Sequence, residues 1–265
     1  MAFEFEEWVE IYKWIAGLLG IDPSSDEMAT KVLSKLLGDN YVTPEYLRRV
    51  INGRYVVVFG AGPSLVDHVV LVKKYLYGVD RGKIVLIAAN GATKALLERG
   101  LVPNIIVTDL DGDLMALAEA GSKGSILVVH GHGDNIELLR KYIPLFSRRG
   151  FKIHGTTQVK PVENVFNYYG FTDGDRAVYM AAYYRASRII LAGMDLGPEV
   201  GVYSGKDYRD KPGKLRGKLV KLSIARELLK LLSLRIDIPI YTLSEIHVGA
   251  IVKITSSTIP IILRW

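Results

Sequence analysis

The 265-residue sequence contains no cysteine. A chain without thiols forms no disulfide and offers no thiolate to a metal or to nucleophilic catalysis. We therefore expect a cytoplasmic protein, since the cytoplasm is reducing. No run approaches the roughly 18 consecutive apolar residues of a spanning helix, and the acidic residues 1–10 do not resemble an export signal. We expect neither membrane association nor export.

The composition is that of a folded globular protein. Hydrophobic residues make up 49% of the chain and charged residues 23%, so there is enough apolar material to offset the entropy of ordering. The length fits one main domain with a smaller addition. The formal net charge is +6, a modest basic excess.

Residues 1–53 have the periodicity of helices. Apolar side chains recur at spacings of three and four from Trp8 to Leu19, and again from Met28 to Leu36. Candidate capping residues precede the second and third helices: Ser24, Ser25, Asp26 and Thr43. We predict a helical N-terminal cap over residues 1–53, followed by a catalytic domain over residues 54–265.

The pattern changes to buried strands after residue 54. Short apolar, β-branched runs alternate with segments of helical pattern, which indicates a mostly parallel sheet with helices on both faces. The expected strands are 55–59, 84–89, 105–108, 126–129, 151–154, 188–192 and 238–243. The predicted fold class is therefore α/β, a Rossmann-like sheet with an N-terminal helical cap.

Ligands of an open parallel sheet bind beyond the carboxyl ends of its strands. A glycine-rich segment follows the first strand and consists of Gly60, Ala61, Gly62, Pro63 and Ser64. Glycine lets backbone N–H groups approach an oxygen, so the segment suits phosphate or ribose. Leu65 stands where a dinucleotide fingerprint needs a third glycine, and a plain strand-to-helix turn remains the alternative.

Acidic residues follow the third strand. Asp109 and Asp111 are two residues apart, so at an extended strand end both carboxylates are expected to face one way. Such oxygen ligands suit Mg²⁺ bridged to phosphates. Asp173 and Asp175 open a later helix, where capping accounts for one of them and the other would complete the metal site.

Two further segments carry charge or imidazole. His130 and His132 end the fourth strand; they are either ligands of a transition metal or loop histidines bonded to backbone. The segment from Lys206 to Lys221 holds most of the basic excess. A basic lid loop over residues 203–218 is our interpretation, with a nucleic-acid surface and a solvated loop as alternatives.

The order of these motifs resembles that of the archaeal 6-hydroxymethyl-7,8-dihydropterin pyrophosphokinase family, itself distantly similar to the thiamine pyrophosphokinases. The matching blocks are GAGPSL at 60–65, IAANGATKALLERGLVPNIIVTDLDGD at 87–113, VVHGHGDN at 128–135, GTTQ at 155–158, GFTDGDRAVYMA at 170–181 and RIILAGMDLG at 188–197. The resemblance implies Mg²⁺-dependent transfer of diphosphate from ATP to the pterin alcohol, which releases AMP.

The resemblance also implies roles for individual residues. Asp109, Asp111 and Asp175 are expected to be catalytic, and the same three with Asp173 to hold the metal. The expected nucleotide-binding residues are Gly60, Gly62, Pro63, Ser64, Asn90, Gly91, Thr156, Thr157, Gln158, Lys206, Arg209 and Lys211. Asp134 and Asn135 have the chemistry to bind the pterin ring.

Two other functions remain open from the sequence. Rossmann-like glycosyltransferases place similar glycine loops and aspartate pairs at strand ends, with a nucleotide-sugar donor. A basic nucleotide- or RNA-binding module accounts for the lysines but not for the aspartates, which repel phosphate unless a metal is bound. We expect no nucleic-acid partner, and a homo-oligomer is left open.

Overall fold

A single parallel sheet forms the centre of the molecule in the computed structural model, which describes residues 4–76, 80–204 and 212–263. Within these residues, nine strands pair in the order β6-β5-β4-β3-β2-β1-β7-β8-β9. They are β1 Tyr55–Phe59, β2 Ile84–Ala89, β3 Ile105–Thr108, β4 Ile126–His130, β5 Lys152–Thr156, β6 Val165–Phe166, β7 Arg188–Ala192, β8 Ile240–Thr242 and β9 Val252–Lys253. The predicted α/β fold is confirmed.

Helices cover both faces of the sheet. Those in the described residues are α1 Phe5–Leu19, α2 Pro23–Leu37, α3 Pro44–Ile51, α4 Leu65–Leu76, α5 Ala92–Glu98, α6 Leu114–Ser122, α7 Ile136–Arg148, α8 Asp173–Tyr183, α9 Pro212–Arg235 and α10 Ile259–Leu263. In this part of the chain, no helix combines the length and the apolar character needed to cross a membrane.

The central strands form where the apolar runs predicted them. Every residue of β1 and β2 is buried, as expected for strands covered on both faces. The bounds of β1, β2, β3 and β7 agree with the prediction, whereas β5 starts one residue later and extends to Thr156. The two-residue strands β6 and β9 were not predicted, because two residues are too few to show a period.

The N-terminal helices share the core of the sheet. Trp8 and Ile15 of α1 are fully buried in the same cluster as Val56 of β1. Leu33 of α2 packs in a second cluster with Val129 of β4, on the opposite face of the sheet. Residues 1–53 therefore have no separate core, and their helices pack on both faces of the sheet.

Two helix starts differ from the prediction. The N-cap of α2 is Asp22, whose carboxylate accepts from Ser24 N, and not Ser24, Ser25 or Asp26. Helix α9 begins at Pro212 rather than near Leu215, so the last seven residues of the predicted lid loop are helical. Proline fits there because the first helical position needs no N–H donor.

We predict that α2 unfolds together with the sheet. Leu33→Ala removes a fully buried side chain and should lower the free energy of unfolding by about 2–5 kcal/mol. Met28→Ala is the control on the same helix, where the side chain is 58% exposed and the change should stay within about 0.5 kcal/mol. Urea denaturation measures both. A separate early transition that alone shifts in Leu33→Ala would mean that the cap unfolds independently.

Candidate functional site

The carboxyl ends of all the parallel strands meet at one edge of the sheet, which we call the carboxyl edge. The strand order reverses at β1, which pairs with β2 on one side and with β7 on the other. Ligands of open α/β sheets bind beside such a reversal. The loops after β1 to β4 and after β7 therefore define the region in which to look for a site.

The side chain of Asn90, after β2, brings the carboxylates of Asp109 and Asp111 together. Its Nδ2 donates to Asp109 Oδ1 at 3.0 Å and to Asp111 Oδ1 at 2.6 Å. Thr108 Oγ1 donates to Asn90 Oδ1 at 3.2 Å and so orients the amide. The two carboxylates face one point, as expected, and Asn90 belongs with them rather than with a separate nucleotide loop.

The two carboxylates converge because of a turn and not because of strand alternation. Leu110 lies between them with a φ of +66°, a left-handed conformation that costs a non-glycine residue about 1–2 kcal/mol. Its side chain is buried, and its N–H donates to Thr108 Oγ1 at 3.0 Å. Gly112 follows, where a Cβ would lie 2.1 Å from Asn90 Oδ1. Only glycine fits against the amide there.

The third aspartate of this segment has a structural role. Asp113 is the N-cap of α6, and its Oδ1 accepts from Met115 N at 3.1 Å and from Ala116 N at 3.0 Å. Its Oδ2 pairs with Lys94 Nζ at 3.1 Å. Capping therefore accounts for Asp113, whereas it accounts for neither of the other two.

Residues 131–135 after β4, which we call the His132 loop, hold Asp109 from the other side. His132 Nε2 lies 3.6 Å from Asp109 Oδ2. His132 Nδ1 accepts from Asp134 N at 3.3 Å, so the proton of a neutral ring is on Nε2 and faces the carboxylate. Asn135 Nδ2 donates to the backbone oxygens of Asp109 at 2.8 Å and of His130 at 2.7 Å.

These contacts change the expected roles of the loop residues. Asn135 is buried, and its Oδ1 also accepts from His132 N at 3.0 Å, so its amide is occupied within the protein. The expectation that Asn135 binds the pterin ring is corrected: it shapes the loop. Asp134 is exposed and remains accessible to a ligand.

The two aspartates at the start of α8 differ from each other. Asp175 is fully buried and forms a capping box: its Oδ2 accepts from Phe171 N at 2.7 Å and its Oδ1 from Thr172 N at 2.7 Å and from the Thr172 hydroxyl. This carboxylate is engaged in capping, so we withdraw Asp175 from the catalytic and metal-binding set. Asp173 is partly exposed, and the negative charges of Asp109 and Asp111 act on its carboxyl group.

The environment separates the pKa values of these acids. Burial would raise the pKa of Asp109, but its interactions with His132 and Asp111 outweigh burial and hold the pKa well below its usual range. Burial and then the charge of Asp109 raise the pKa of Asp173 well above its usual value. The surroundings thus favour the ionised form of Asp109 and the protonated form of Asp173.

The donor set fits Mg²⁺ in chemistry. Asp109, Asp111 and Asp173 supply carboxylate oxygens, which this hard cation prefers. The Asn90 N–H groups lie between the first two and would have to turn away from a cation bound there. Over the described residues, no three acidic or imidazole side chains already stand close enough to enclose an ion. The three carboxylates would therefore have to move closer together around a cation.

His130 is unsuited to a transition metal. Its ring is buried, and Arg176 Nη2, which can only donate, lies 3.2 Å from its Nε2. Burial and the Arg176 charge lower the pKa of His130 well below its usual value, so the ring is neutral. A metal at His130 would meet a buried guanidinium. His130 is the last residue of β4 and its ring nitrogens face the side chains of Arg176 and Thr156, so it is not a backbone-bonded loop histidine either.

The glycines after β1 are required by packing within the protein. A Cβ at Gly60 would lie 2.7 Å from Met194 Cγ, and a Cβ at Gly62 would lie 2.2 Å from Asp195 Oδ2. The carboxylate of Asp195, after β7, accepts from Ser64 N at 3.0 Å and from Ser64 Oγ at 2.6 Å. It thereby occupies the anion position at the start of α4. Phosphate at this position would have to displace Asp195.

The last residue of β5 and the two that follow it lie inside the protein. Thr156, Thr157 and Gln158 are buried, although we expected them to bind phosphate or the base. Thr157 Oγ1 lies 2.7 Å from Thr30 Oγ1 of α2, and Gln158 Nε2 donates to Asp26 Oδ2 of the same helix at 2.6 Å. These side chains connect the sheet to the N-terminal helices, which corrects their expected role.

The remaining nucleotide-binding expectations have mixed outcomes. A Cβ at Gly91 would lie 1.7 Å from the carbonyl oxygen of Tyr203, so this glycine is needed where the segment after β7 crosses it. Lys206, Arg209 and Lys211 lie outside the described residues. Lys218 of α9 is described, and its positive charge acts to lower the pKa of Asp173, so the start of α9 lies near the acidic side chains.

Sequence reasoning missed three residues that organise the site. The sequence assigns Asn90 to the nucleotide rather than to the aspartates, does not pair His132 with Asp109, and gives Asp195 no role beyond its place in the block at 188–197. For Asn90 and His132 the available signal was their position after strands that flank β3, since neighbouring strand ends meet. For Asp26, buried beneath the His132 loop, the sequence offers no such signal.

Comparison with known proteins assigns the family. The model of the family described as "6-hydroxymethylpterin diphosphokinase MptE-like" matches residues 32–201. A Methanocaldococcus jannaschii protein named 6-hydroxymethyl-7,8-dihydropterin pyrophosphokinase is 38% identical over 242 residues, which is 89% of this chain and 98% of that protein.

Two further relatives carry the same name. The Pyrococcus furiosus protein is 40% identical over 231 residues, 86% of this chain and 93% of the relative. The Methanothermobacter thermautotrophicus protein is 40% identical over 238 residues, 89% of this chain and 98% of the relative. With the α/β sheet and the acidic carboxyl edge, these matches show that the chain belongs to the MptE-like 6-hydroxymethylpterin diphosphokinase family.

Proposed function

We propose that the protein transfers diphosphate from ATP to 6-hydroxymethyl-7,8-dihydropterin with the help of Mg²⁺, which yields AMP and the pterin diphosphate in a folate or methanopterin type of pathway. The names of the three relatives support the pterin as acceptor. The observation that carries the proposal is the convergence of Asp109 and Asp111 on the Asn90 amide at the carboxyl edge. The absence of cysteine supports a cytoplasmic location.

In this reaction the hydroxymethyl oxygen of the pterin attacks the β-phosphorus of ATP in line with the bond to the α-phosphate oxygen. That bond breaks, AMP leaves, and the hydroxyl proton is released. Asp109, Asp111 and Asp173 would hold Mg²⁺, which would neutralise charge on the phosphate oxygens. Asn90 and His132 orient the Asp109 carboxylate, and Asp173 would be the third oxygen donor.

The loop after β1 is better suited to the nucleoside than to the phosphates of ATP. Asp195 places a negative charge at the start of α4, and this charge repels phosphate but accepts a hydrogen bond from a ribose hydroxyl. We therefore place the ribose near Ser64 and Asp195 and the phosphates nearer Asp109. The expected lid residues Lys206, Arg209 and Lys211 stay a prediction, and Lys218 is a further candidate for phosphate.

The two alternative functions have weaker support. A nucleotide-sugar transferase is compatible with the aspartate pair, but the relatives are named as pterin pyrophosphokinases. An RNA-binding module is disfavoured because the lowered pKa of Asp109 keeps its carboxylate ionised, and an ionised carboxylate repels the nucleic-acid backbone.

The first test of this proposal is the identity of the products. With Mg-ATP and 6-hydroxymethyl-7,8-dihydropterin, we expect AMP to form in step with consumption of the pterin, because the β,γ unit moves as one. Chromatography of the nucleotides measures this, and thiamine replaces the pterin in a control for the more distant resemblance. ADP as the nucleotide product would indicate an ordinary kinase. Cleavage of a nucleotide-sugar with no use of ATP would favour the glycosyltransferase.

The second test compares the effects on turnover of replacing Asp111, a proposed metal ligand, and Asp113, a helix N-cap. Asp111→Asn should reduce turnover by about 100-fold or more, because metal stabilisation of developing charge amounts to several kcal/mol. Its melting temperature should stay or rise, since one of several like charges is removed. Asp113→Asn keeps an equally good N-cap and should change turnover less than about threefold. Equal turnover in the two variants would remove Asp111 from the site.

The third test concerns the ribose. If Asp195 accepts a hydrogen bond from it, 2′-deoxy-ATP or 3′-deoxy-ATP should have a kcat/KM about tenfold or more below that of ATP, as for a lost hydrogen bond to a charged group. Asp195→Asn should shrink that ratio towards one while the protein stays folded, since the asparagine oxygen still accepts from Ser64 N. An unchanged ratio in the variant would place the ribose elsewhere.

A further inference from the structure

The geometry points to Asp26 of α2 as a positioning residue for the proposed reaction: its buried carboxylate fixes the His132 loop and, through that loop, the carboxylate of Asp109. This inference rests on the proposed function for the identity of the reaction and for the metal at Asp109. Asp26 lies outside residues 32–201 that the family model matches, in helices we expected only to cap the domain.

Asp26 has three hydrogen-bond donors from three parts of the chain. Its Oδ1 accepts from Gly133 N at 2.7 Å, in the His132 loop. Its Oδ2 accepts from Tyr12 Oη of α1 at 2.5 Å and from Gln158 Nε2 after β5 at 2.6 Å. The residue is 2% exposed, so its carboxylate is shielded from solvent and from substrate. It acts through its neighbours and not by contact with reacting atoms.

The loop also packs directly on α2. A Cβ at Gly133 would lie 2.5 Å from Ser25 Cβ, and a Cβ at Gly131 would lie 3.3 Å from the carbonyl oxygen of Ala29. Both glycines therefore allow the loop backbone to touch the helix. The Gly133 hydrogen bond lies within this close contact, so loss of the Asp26 carboxylate leaves a partly buried donor without its protein partner.

The loop transmits this restraint to the site by two routes. His132, which precedes Gly133, faces Asp109 Oδ2 through Nε2 at 3.6 Å. Asn135 holds the Asp109 carbonyl at 2.8 Å through Nδ2 and accepts from His132 N through Oδ1. A shift of Gly133 therefore moves both groups that orient Asp109 from this side. Partners that orient a metal ligand commonly change metal affinity by 10- to 100-fold when removed.

An asparagine at this position should restore the restraint, whereas an alanine should not. The Asn side chain can present its oxygen to Gly133 N and its amide to Tyr12 and Gln158, if the Tyr12 hydroxyl rotates and the Gln158 amide flips. Asp26→Ala leaves all three donors without an acceptor. If the negative charge itself were what mattered, for example opposite Arg176, asparagine would fail as alanine does.

The experiment compares Asp26→Ala, Asp26→Asn and a control, Thr30→Val, in the full-length protein. Thr30 is one turn along α2 and is buried. Its hydroxyl donates to the backbone oxygen of Asp26 at 2.8 Å and lies 2.7 Å from that of Thr157, but it makes no hydrogen bond to the Asp26 carboxylate or to residues 131–135. One measurement is amide hydrogen exchange of residues 130–136. The other is the Kd of Mn²⁺, used as a paramagnetic probe and followed by water-proton relaxation without turnover.

We expect Asp26→Ala to speed exchange in the loop by about tenfold and to weaken Mn²⁺ by about tenfold or more. Asp26→Asn should stay within about threefold of the parent in both measurements, and so should Thr30→Val even if its melting temperature falls. Gly133→Ala provides a second route, since its Cβ pushes the loop away from Ser25 without touching Asp26, and it should act in the same direction as Asp26→Ala.

Several results would overturn the inference. If loop exchange is unchanged in Asp26→Ala, Asp26 does not restrain the loop. If Asp26→Ala does not fold, unchanged exchange in Gly133→Ala leads to the same conclusion. Faster exchange with unchanged Mn²⁺ affinity would mean that the loop restraint does not affect Asp109. The same changes in Thr30→Val would show that general destabilisation is the cause. Loop exchange requires neither a metal nor turnover, so it tests the restraint even if no AMP is formed, and failure of this inference and failure of the proposed function are distinguishable.

Discussion

Repulsion between carboxylates is the constraint on which the site depends. Asp109, Asp111 and Asp173 lie near one another at the carboxyl edge, and two adjacent negative charges with little water between them oppose each other strongly. Hydrogen-bond donors reduce this repulsion: the Asn90 amide lies between the first two aspartates, and His132 lies against Asp109. Burial, and then the charge of Asp109, raise the pKa of Asp173. A site arranged in this way gains stability when a cation arrives.

Crowding of the loops at the same edge accounts for most of its glycines. The loop after β1 lies against the loop after β7, Gly91 lies beneath Tyr203, and Gly133 lies against α2. In each case a Cβ would meet protein atoms and not a ligand. A glycine-rich turn after a strand therefore has two physical explanations, close approach of a phosphate and close approach of another loop. At Gly62 the structure favours the second, because Asp195 already fills the anion position.

The N-terminal helices connect both faces of the sheet to the site. Helix α1 contributes Trp8 to the core on one face, α2 contributes Leu33 on the other, and Tyr12 and Asp26 meet between them beneath the His132 loop. Stability and site geometry are thus coupled in the same helices. This coupling explains why a segment with no catalytic side chain of its own can still decide how well Asp109 is placed.

The sequence by itself determined which segments form the central strands, and that an acidic pair follows β3. Both are local patterns, since they depend on apolar runs and on the residues at strand ends. Tertiary structure decided the rest. Asp175 became a capping residue while Asp173 faced the site, and Asn135 and Gln158 turned inwards. Their partners lie on other loops or helices, with Asp26 and Gly133 separated by 107 residues. No local pattern encodes such a pairing, since a polar side chain's role depends on which donor or acceptor the fold brings to it.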